Sequence, residues 1–310
     1  MKQYPVKEVS LPNGETLAYR QCGTESPTII LLHGNRASSV HWQTTMEILE
    51  DEFTVYAIDS RGCGDSTYNT PIDTVHDLAE DIEAFIDILQ IPPFSLVGWS
   101  TGGAVAMEVS ADRPDLVLQL ILVESVPPTG YRLYAVDDHG TPLLNQPLKT
   151  KEEIAAHMSH VSPVLGALAQ GNLDSLQGVW GAFVKTIRHT SDPTEGLYME
   201  AMLKQRNMVD ANHAVINFNI SSRPSLVAPG SRRMDKIMCP VSIIHGAKDT
   251  WIPIEWAYQT KELFGERATM EVFPNGGHSP MVDLPDQFIP ALLNSLHRLW
   301  VSSDWLWNPA

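Results

Sequence analysis

Cysteine is scarce in this chain, with only 3 among 310 residues. Cys22, Cys63 and Cys239 lie far apart and are odd in number, which predicts neither a disulfide framework nor a metal-ligand spacing. No apolar run approaches the ~20 residues that span a membrane, and the amino terminus is too polar for a secretion signal. We therefore expect a soluble, cytoplasmic protein of a reducing compartment, without a membrane as partner.

Basic residues are also in deficit. Lys and Arg number 21 against 37 Asp and Glu, which gives a formal net charge of −16 at pH 7. An acidic surface repels phosphate backbones, so nucleic acid is not expected as a partner. The rest of the composition is ordinary for a globular protein with a large core, because 43% of the residues are hydrophobic and 19% are charged.

Short apolar runs alternate with helical periodicity in the first third of the chain. An Asn-Gly pair at Asn13 and Gly14 predicts a hairpin that joins two β-rich runs. The later runs are almost continuously hydrophobic, as in parallel strands that are covered on both faces. The predicted strands are 6–10, 16–21, 28–32, 54–58, 94–98 and 117–123, and residues 75–89 are predicted to form an amphipathic helix.

The pattern changes after residue 126. Helical segments without buried strands follow as far as about residue 235, apart from a small hairpin expected at 131–140. Thr150 begins a capping box, and Asp192 before Pro193 predicts another helix start. Strands and helices then return at 241–245, 254–264, 268–273 and 286–300. Beyond them, residues 304–307 carry apolar side chains that could dock on the core or on a partner.

The most informative segment is the turn Gly-Trp-Ser-Thr-Gly at residues 98–102. A buried strand precedes it and a helix follows it, which places Ser100 on a sharp strand-to-helix turn with its hydroxyl exposed. The amino terminus of that helix also presents unpaired N–H groups to developing negative charge. This context predicts that Ser100 is a nucleophile.

With this turn the chain resembles the α/β-hydrolase superfamily, and three further segments match the family pattern. Leu-Leu-His-Gly-Asn at 31–35 lies where the family has its oxyanion loop, and Asp-Ser-Arg-Gly-Cys-Gly-Asp-Ser at 59–66 looks like its Asp-x-Arg-Gly-x-Gly-x-Ser loop. Pro-Val-Ser-Ile-Ile-His-Gly-Ala-Lys-Asp at 240–249 looks like the late strand and acid turn. The resemblance covers most of residues 6–126 and 236–300.

The resemblance implies the α/β-hydrolase fold, an α/β architecture with a mostly parallel, twisted sheet flanked by helices and a mainly helical cap. We expect residues 1–126 and 236–310 to form the core domain and residues 127–235 to form the cap (lid) domain. A helical insertion in such a fold is expected over the carboxyl ends of the strands, where open sheets keep their sites.

A serine hydroxyl is a poor nucleophile at neutral pH and needs an imidazole to take its proton. His278 lies in a Gly-rich loop after the last predicted strand, which is the family's place for the base, and Asp249 follows the preceding strand. The order Ser100, Asp249, His278 is the chain order of this fold. Glu124, directly after the run at 117–123, is the alternative to Asp249 as the acid.

By resemblance, the backbone N–H groups of Asn35 and Thr101 form the oxyanion hole. Asn after His-Gly also occurs in haloalkane dehalogenases, but those enzymes use an aspartate nucleophile. The candidates for contact with substrate are Trp99, Met158, Trp180 and Trp251, although Met158 and Trp180 could instead pack the cap.

Several other polar residues are expected to be structural. His33 is expected to support the oxyanion loop, and Arg61 is expected to fix its own loop by hydrogen bonds. His157 and His160 fall on one helical face without a third ligand nearby, so no metal site is predicted there.

The function expected from this resemblance is that of a serine hydrolase that cleaves carboxylic esters of small to medium size through an acyl-enzyme, with no cofactor. The same triad could instead cleave lactones, amides, thioesters or carbon–carbon bonds, or carry out perhydrolysis. An alternative of another class is a ligand-sensing protein of this fold with vestigial activity.

Overall fold

The computed structural model describes residues 2–24, 27–158, 160–183 and 194–301. Ten strands are present in this part of the chain: β1 Lys7–Ser10, β2 Thr16–Cys22, β3 Thr28–Leu32, β4 Thr54–Ile58, β5 Phe94–Trp99, β6 Val117–Val123, β7 Tyr134–Val136, β8 Pro142–Pro147, β9 Val241–Gly246 and β10 Ala268–Phe273.

Eleven α-helices are present in the same described ranges: α1 Gln43–Leu49, α2 Val75–Leu89, α3 Thr101–Asp112, α4 Lys151–Ala155, α5 Ser162–Gln170, α6 Leu173–Phe183, α7 Thr194–Leu203, α8 Met208–Ile216, α9 Ile254–Phe264, α10 Pro280–Asp283 and α11 Pro285–Val301. Three short 3₁₀ turns accompany them at Ser39–Trp42, Arg233–Lys236 and Gly265–Arg267. No helix in the described ranges is both long enough and apolar enough to cross a bilayer.

Eight strands form one sheet in the order β1-β2-β4-β3-β5-β6-β9-β10. β2 is antiparallel to both of its neighbours, and all of the other pairings are parallel. β3, β5 and β9 are buried at every residue, which explains why their sequences are continuously apolar rather than alternating. The predicted strands and the amino-terminal hairpin are confirmed, with bounds that agree to within one residue.

Helix α2 follows from its sequence in the same way. Thr74 and Asp77 cap its amino terminus by exchanging side-chain and backbone hydrogen bonds, and the helix buries the stripe that includes Leu78, Ile82 and Phe85. This stripe packs in the same apolar cluster as α3 and the central strands. The predicted amphipathic helix is therefore confirmed.

Residues 127–235, here named the cap segment, lie between β6 and β9. The expected hairpin is present as β7 and β8, and Thr150 caps α4 by accepting the backbone N–H of Glu153. Helices make up most of the remainder. The helix start predicted at Asp192, and the apolar residues 304–307, lie outside the described residues.

The last part of the cap segment packs tightly on the sheet's helical layer. Helix α8 contacts α2 and α3, and the turn Arg233–Lys236 contacts α3. Val215 and Phe218 belong to the same apolar cluster as Val105 of α3. The division of the chain into a core and a cap domain stays a prediction.

Candidate active site

Ser100 lies between β5 and α3, at the carboxyl edge of the sheet. Its φ of 55° falls in the left-handed region, which a non-glycine residue seldom adopts. The turn is held by hydrogen bonds from the Ser100 N–H to the Val123 carbonyl (2.9 Å) and from the Gly103 N–H to the Ser100 carbonyl (3.0 Å). A Cβ on Gly102 would lie 2.5 Å from the Leu32 carbonyl oxygen, so only glycine fits there.

The structure brings Ser100, His278 and Asp249 together in one hydrogen-bonded chain. The Ser100 Oγ lies 3.0 Å from His278 Nε2, and His278 Nδ1 lies 2.7 Å from Asp249 Oδ2. The Asp249 side chain is fully buried, whereas that of His278 is 12% exposed. With Asp249 ionised, His278 carries its proton on Nδ1, and its Nε2 is then free to accept the serine proton.

Asp249 is held by the turn that follows β9. Its Oδ1 accepts the backbone N–H groups of Trp251 (2.7 Å) and Ile252 (3.1 Å). Burial acts to raise the pKa of Asp249, but attraction to His278 and its hydrogen bond outweigh burial, and the pKa is lowered below 3.8. The carboxyl group is therefore a carboxylate at neutral pH, as an acceptor for the imidazole must be.

The loop that carries His278 is fixed by a tryptophan of β5. Trp99 is buried, and its indole Nε1–H donates to the His278 carbonyl oxygen at 2.7 Å. The two rings are also in contact, with centroids 5.8 Å apart. The residue before the serine thus positions the backbone that carries the imidazole.

Asn35 and Thr101 lie beside Ser100 in the wall of the same cavity. Thr101 is the first residue of α3, where N–H groups have no acceptor within the helix. Gly34, just before Asn35, allows the close approach of the two loops, because a Cβ on it would lie 2.8 Å from the Ser100 Cβ. This geometry places two loops with backbone N–H groups around the serine.

His33 and Arg61 support the neighbouring loops, as the sequence predicts. The His33 Nδ1 lies 2.7 Å from the Gly34 carbonyl oxygen, and its Nε2 accepts the Ser60 N–H at 3.0 Å. Arg61 donates to both carboxylate oxygens of Asp81, at 2.6 and 2.7 Å. Both expected structural roles are confirmed.

A cleft with about 640 Å³ of empty space, part of it open to solvent, lies over Ser100. The cap segment provides one wall of this cleft, through Tyr131, Leu133, His160, Val161, Asn212 and Val215. Of the residues proposed for substrate contact, Trp99 and Trp251 line the cleft from the sheet side.

Met158 and Trp180 do not line the cleft. Met158 is 71% exposed on the outer surface, and Trp180 is buried against His41 and Tyr198, with ring centroids 5.2 and 5.1 Å away. The expectation that these two residues contact substrate is therefore corrected. The two residues lie in different parts of the cap segment, Met158 after α4 and Trp180 within α6.

Glu124, the alternative acid, lies directly behind Asp249. Its Oε1 accepts the Gly246 N–H at 2.6 Å, and its Oε2 lies 3.2 Å from His245 Nδ1. Burial, followed by repulsion from Asp249, raises the pKa of Glu124 well above 4.5. His278 Nδ1 contacts Asp249, whereas Glu124 contacts Gly246 and His245, so the geometry favours Asp249 as the carboxylate that orients His278.

Three residues near the site were missed by sequence reasoning. His245 lies with its Nδ1 3.2 Å from Glu124 Oε2, and its Nε2 lies 2.8 Å from the Ile252 carbonyl oxygen. Arg36 lines the cleft, and Gln205 of the cap segment bonds to the Asn35 side chain. Of these three residues, only Arg36 could have been suggested by the sequence, because it directly follows Asn35.

Two groups of described residues bring metal-ligand atoms within 4.8 Å of one another. In the group His76, Glu108 and Asp112, the Arg233 guanidinium already bonds both carboxylates. In the group Glu124, His245 and Asp249, the carboxylate of Asp249 is bonded to His278. Both sets of donors are thus engaged with protein cations or imidazole.

Comparison with known proteins agrees with this fold. The model of the Alpha/beta hydrolase family matches residues 29–291, so the chain belongs to that family. It is 28% identical over 300 residues to an uncharacterised protein of Mycobacterium bovis, covering 92% of this chain and 81% of that one. It is 25% identical over 270 residues to the pimeloyl-[acyl-carrier protein] methyl ester esterase of Nitrosomonas europaea, covering 85% and 93%.

Solved structures show the same architecture. The esterase EaEST from Exiguobacterium antarcticum superposes with a TM-score of 0.72 at 20% identity, over 93% of this chain and 98% of that one. The esterase RhEst1 from Rhodococcus sp. ECU1013 superposes with a TM-score of 0.69 at 22% identity, over 95% and 99%. At these identities the likeness shows the fold alone.

Proposed function

We propose that this protein is a serine hydrolase that cleaves carboxylic esters of small to medium size through an acyl-enzyme. The observation that carries the proposal is the continuous chain of hydrogen bonds from Ser100 through His278 to Asp249, 3.0 and 2.7 Å long, at the floor of the cleft. The name of the Nitrosomonas esterase is consistent with this activity.

In the proposed reaction, Ser100 Oγ attacks the ester carbonyl while His278 Nε2 accepts the hydroxyl proton. The backbone N–H groups of Asn35 and Thr101 stabilise the oxyanion, at ~2.7–4 kcal/mol for each donor. The imidazolium, stabilised by Asp249, returns the proton to the leaving alkoxide. Water, deprotonated by the same imidazole, then releases the carboxylic acid and restores the serine.

We also propose that the cap segment acts as the lid of this site. Six of its residues form the wall opposite the serine, and a partly enclosed cleft suits a small or medium substrate better than a long lipid. Selectivity for the acyl and alcohol parts of the ester would then depend mainly on this wall, because proteins that share a fold differ in the residues that form their sites.

The test replaces Ser100 with alanine and measures hydrolysis of short p-nitrophenyl esters. We expect kcat to fall by a factor on the order of 10⁶, and labelling by a fluorophosphonate probe to disappear. Ser110→Ala is the matched control, because its hydroxyl lies on the same helix and bonds only its own helix backbone at Ala106. Ser100→Ala turnover equal to that of the control would refute the proposal.

A steady-state assay separates an enzyme from a ligand-sensing protein. An enzyme with this site continues through many turnovers, whereas a sensor with vestigial chemistry would stop after about one equivalent of product. A burst of one equivalent without further turnover would overturn the enzymatic assignment while leaving Ser100 as the acylated residue.

A further inference from the structure

The loop that follows β3 carries the backbone N–H of Asn35, which the proposed reaction directs at the oxyanion. Arg36, the next residue, has a φ of 58°, in the left-handed region that a non-glycine residue seldom adopts. Such a conformation persists only where the surrounding contacts hold it. The contacts of this loop therefore control the direction in which the Asn35 N–H points.

One contact fixes the peptide unit between Gly34 and Asn35. His33 Nε2 accepts the Ser60 N–H at 3.0 Å, so the neutral imidazole carries its proton on Nδ1, which lies 2.7 Å from the Gly34 carbonyl oxygen. In a trans peptide unit the C=O and N–H groups point in opposite directions. Because His33 holds the carbonyl group, it also fixes the direction of the Asn35 N–H.

The second contact comes from the cap segment. Gln205 Oε1 accepts the Arg36 N–H at 3.0 Å, and Gln205 Nε2 donates to Asn35 Oδ1. The glutamine amide thus holds the side chain of Asn35 and the peptide unit that follows it. The two peptide units on either side of Asn35 are therefore held from different parts of the chain, one by His33 after β3 and the other by Gln205.

Gln205 is itself fixed within residues 204–207, which join α7 to α8. The residue is 5% exposed, and its Nε2 donates its second proton to Asn207 Oδ1 at 2.9 Å. Asn207 Nδ2 in turn donates to the Arg61 carbonyl oxygen at 2.6 Å. Both protons and the oxygen of the glutamine amide thus have partners, which determines the orientation of the amide.

We propose that Gln205 is a positioning residue for the oxyanion hole, through which the cap segment sets the direction of the Asn35 N–H. The proposal rests on the proposed function, since it concerns the same oxyanion. Gln205 is not among the described residues that line the cleft, so it acts through the loop and does not touch substrate. A misdirected N–H costs catalysis but little binding, because the oxyanion forms in the transition state and is absent from the bound ester.

The first test replaces Gln205 with methionine, which is similar in length and volume but has no amide. For p-nitrophenyl pentanoate, kcat and kcat/KM should both fall about 10–100-fold, with KM within about 3-fold of the wild type. Fluorophosphonate labelling counts the active protein, so that a smaller folded fraction is not mistaken for a lower kcat. Wild-type kcat in Gln205→Met would overturn the inference and leave the proposed function intact.

Lys204→Met is the matched control. Lys204 lies beside Gln205 in the chain, and its half-exposed side chain forms an ion pair with Asp65 at 2.6 Å. The change therefore removes a polar contact of the same segment without touching the Asn35 loop. We expect its kcat to stay within about 2-fold of the wild type, as for an exposed ion pair. A loss equal to that of Gln205→Met would show that any weakening of this segment lowers kcat, and would overturn the specific role of Gln205.

A reversible inhibitor separates an effect on the oxyanion hole from a general loss of structure. Butylboronic acid bonds through boron to Ser100 Oγ as the hydroxyl proton passes to His278, and the anionic tetrahedral adduct resembles the transition state. Its Ki should rise about 10-fold or more in Gln205→Met, whereas the Ki of planar, neutral pentanamide should change by less than about 3-fold. Equal changes for the two inhibitors would show that Gln205 only supports the fold.

Asn35→Ala keeps the inference testable if Gln205→Met does not fold. It removes the oxygen to which Gln205 donates and leaves the backbone N–H of residue 35 in place. We expect kcat to fall with little change in KM, and unchanged kcat would overturn the inference. Where both variants fold, the loss in the double variant should be smaller than the product of the two single losses, because both changes break one shared contact. A loss equal to that product would contradict the inference.

A protein that hydrolyses no ester would refute the proposed substrate class alone. The rate at which a fluorophosphonate labels Ser100 then takes the place of kcat, because phosphonylation also develops negative charge on an oxygen beside the serine. Gln205→Met should slow this labelling about 10-fold, and an unchanged rate would overturn the inference.

Discussion

The carboxyl edge of the sheet and the cap segment form opposite walls of one cleft, but they are held in place differently. At the sheet edge, Ser100, Asp249 and His278 each follow a strand whose register with its neighbours is fixed by backbone hydrogen bonds. The wall from the cap segment is positioned by contacts between separate loops and helices, such as the hydrogen bond from the Tyr131 N–H to the Val215 carbonyl oxygen at 2.8 Å. Only the first kind of placement leaves a regular signal in a sequence.

This difference explains which of the candidate residues the structure brings together. The residues proposed at the strand ends converge on one hydrogen-bonded chain, whereas two of the residues proposed in the cap segment lie away from the cleft. A residue that directly follows a parallel strand lies at a known edge of the sheet. The helical period shows only which residues share one face of a helix, and the direction of that face depends on the rest of the fold.

The largest expected loss of activity is at the carboxyl edge of the sheet. Asp249→Asn should reduce kcat about 10⁴-fold, because an amide does not hold the imidazole in the required tautomer. Glu124→Gln should cost less than about 10-fold, since Glu124 contacts Gly246 and His245 rather than His278, and the glutamine carbonyl can still accept the Gly246 N–H. Both variants are assayed with p-nitrophenyl pentanoate after circular dichroism has shown that they fold.

The opposite ranking would contradict the assignment of the acid. If Glu124→Gln lost more activity than Asp249→Asn, Glu124 would be the residue that orients His278. The sheet edge would then still supply the acid, but from β6 rather than from β9.

The cap segment should show its role in stability rather than in turnover. Trp180→Ala is expected to lower the free energy of unfolding by ~3–5 kcal/mol, because it leaves a cavity beside His41 and Tyr198. Met158→Ala is the control and should stay within ~0.5 kcal/mol of the wild type, since its side chain is 71% exposed. Urea denaturation measures both. A rise in KM for Met158→Ala would instead restore Met158 as a substrate contact.

The smallest effect concerns the pH dependence of stability. The folded protein keeps the proton of Glu124 above the ordinary value of 4.5, while the unfolded chain loses it there. Between that value and the raised pKa, the free energy of unfolding therefore falls as the pH rises, with a slope of up to ~1.4 kcal/mol per pH unit. Glu124→Gln removes the titrating group, so the stability of this variant relative to the wild type should increase as the pH rises above 4.5.

Asp249 is expected to change the pH dependence of the free energy of unfolding in the opposite direction. Its pKa is lowered from 3.8, so its contribution to stability is present above that value and is lost as the pH falls through the lowered pKa. Urea denaturation of wild type and Glu124→Gln at several pH values tests the difference. If the difference in free energy of unfolding between the two proteins is the same at every pH, the pKa of Glu124 is not raised in the folded state.

Most of the fold could be predicted, because its parallel strands are covered on both faces and therefore read as continuous apolar runs between helices. The order of the strands was not given by these runs. The resemblance carried by the turn around Ser100 and by the segments 31–35, 59–66 and 240–249 implied a mostly parallel sheet with a helical cap, but no strand order. The residues of the candidate site that follow strands could be named for the same reason.

The contacts between distant elements could not be predicted. Glu124 and His245 are 121 residues apart in the chain and meet only because β6 and β9 are neighbours. Gln205 reaches the Asn35 loop from a helical segment whose sequence shows no matching pattern. Arg36 is an ordinary polar residue in the sequence, and its place in the cleft follows from the left-handed turn of its loop.

The sequence by itself determined the alternation of strands and helices, the strained serine turn and the chain order of three polar residues, because each depends on local spacing. Tertiary structure alone decided which carboxyl group contacts His278 and which has a raised pKa, which tryptophans face the cleft and which cation lies inside it. Those properties depend on burial and on the nearest charges, and both are set by residues far away in the chain.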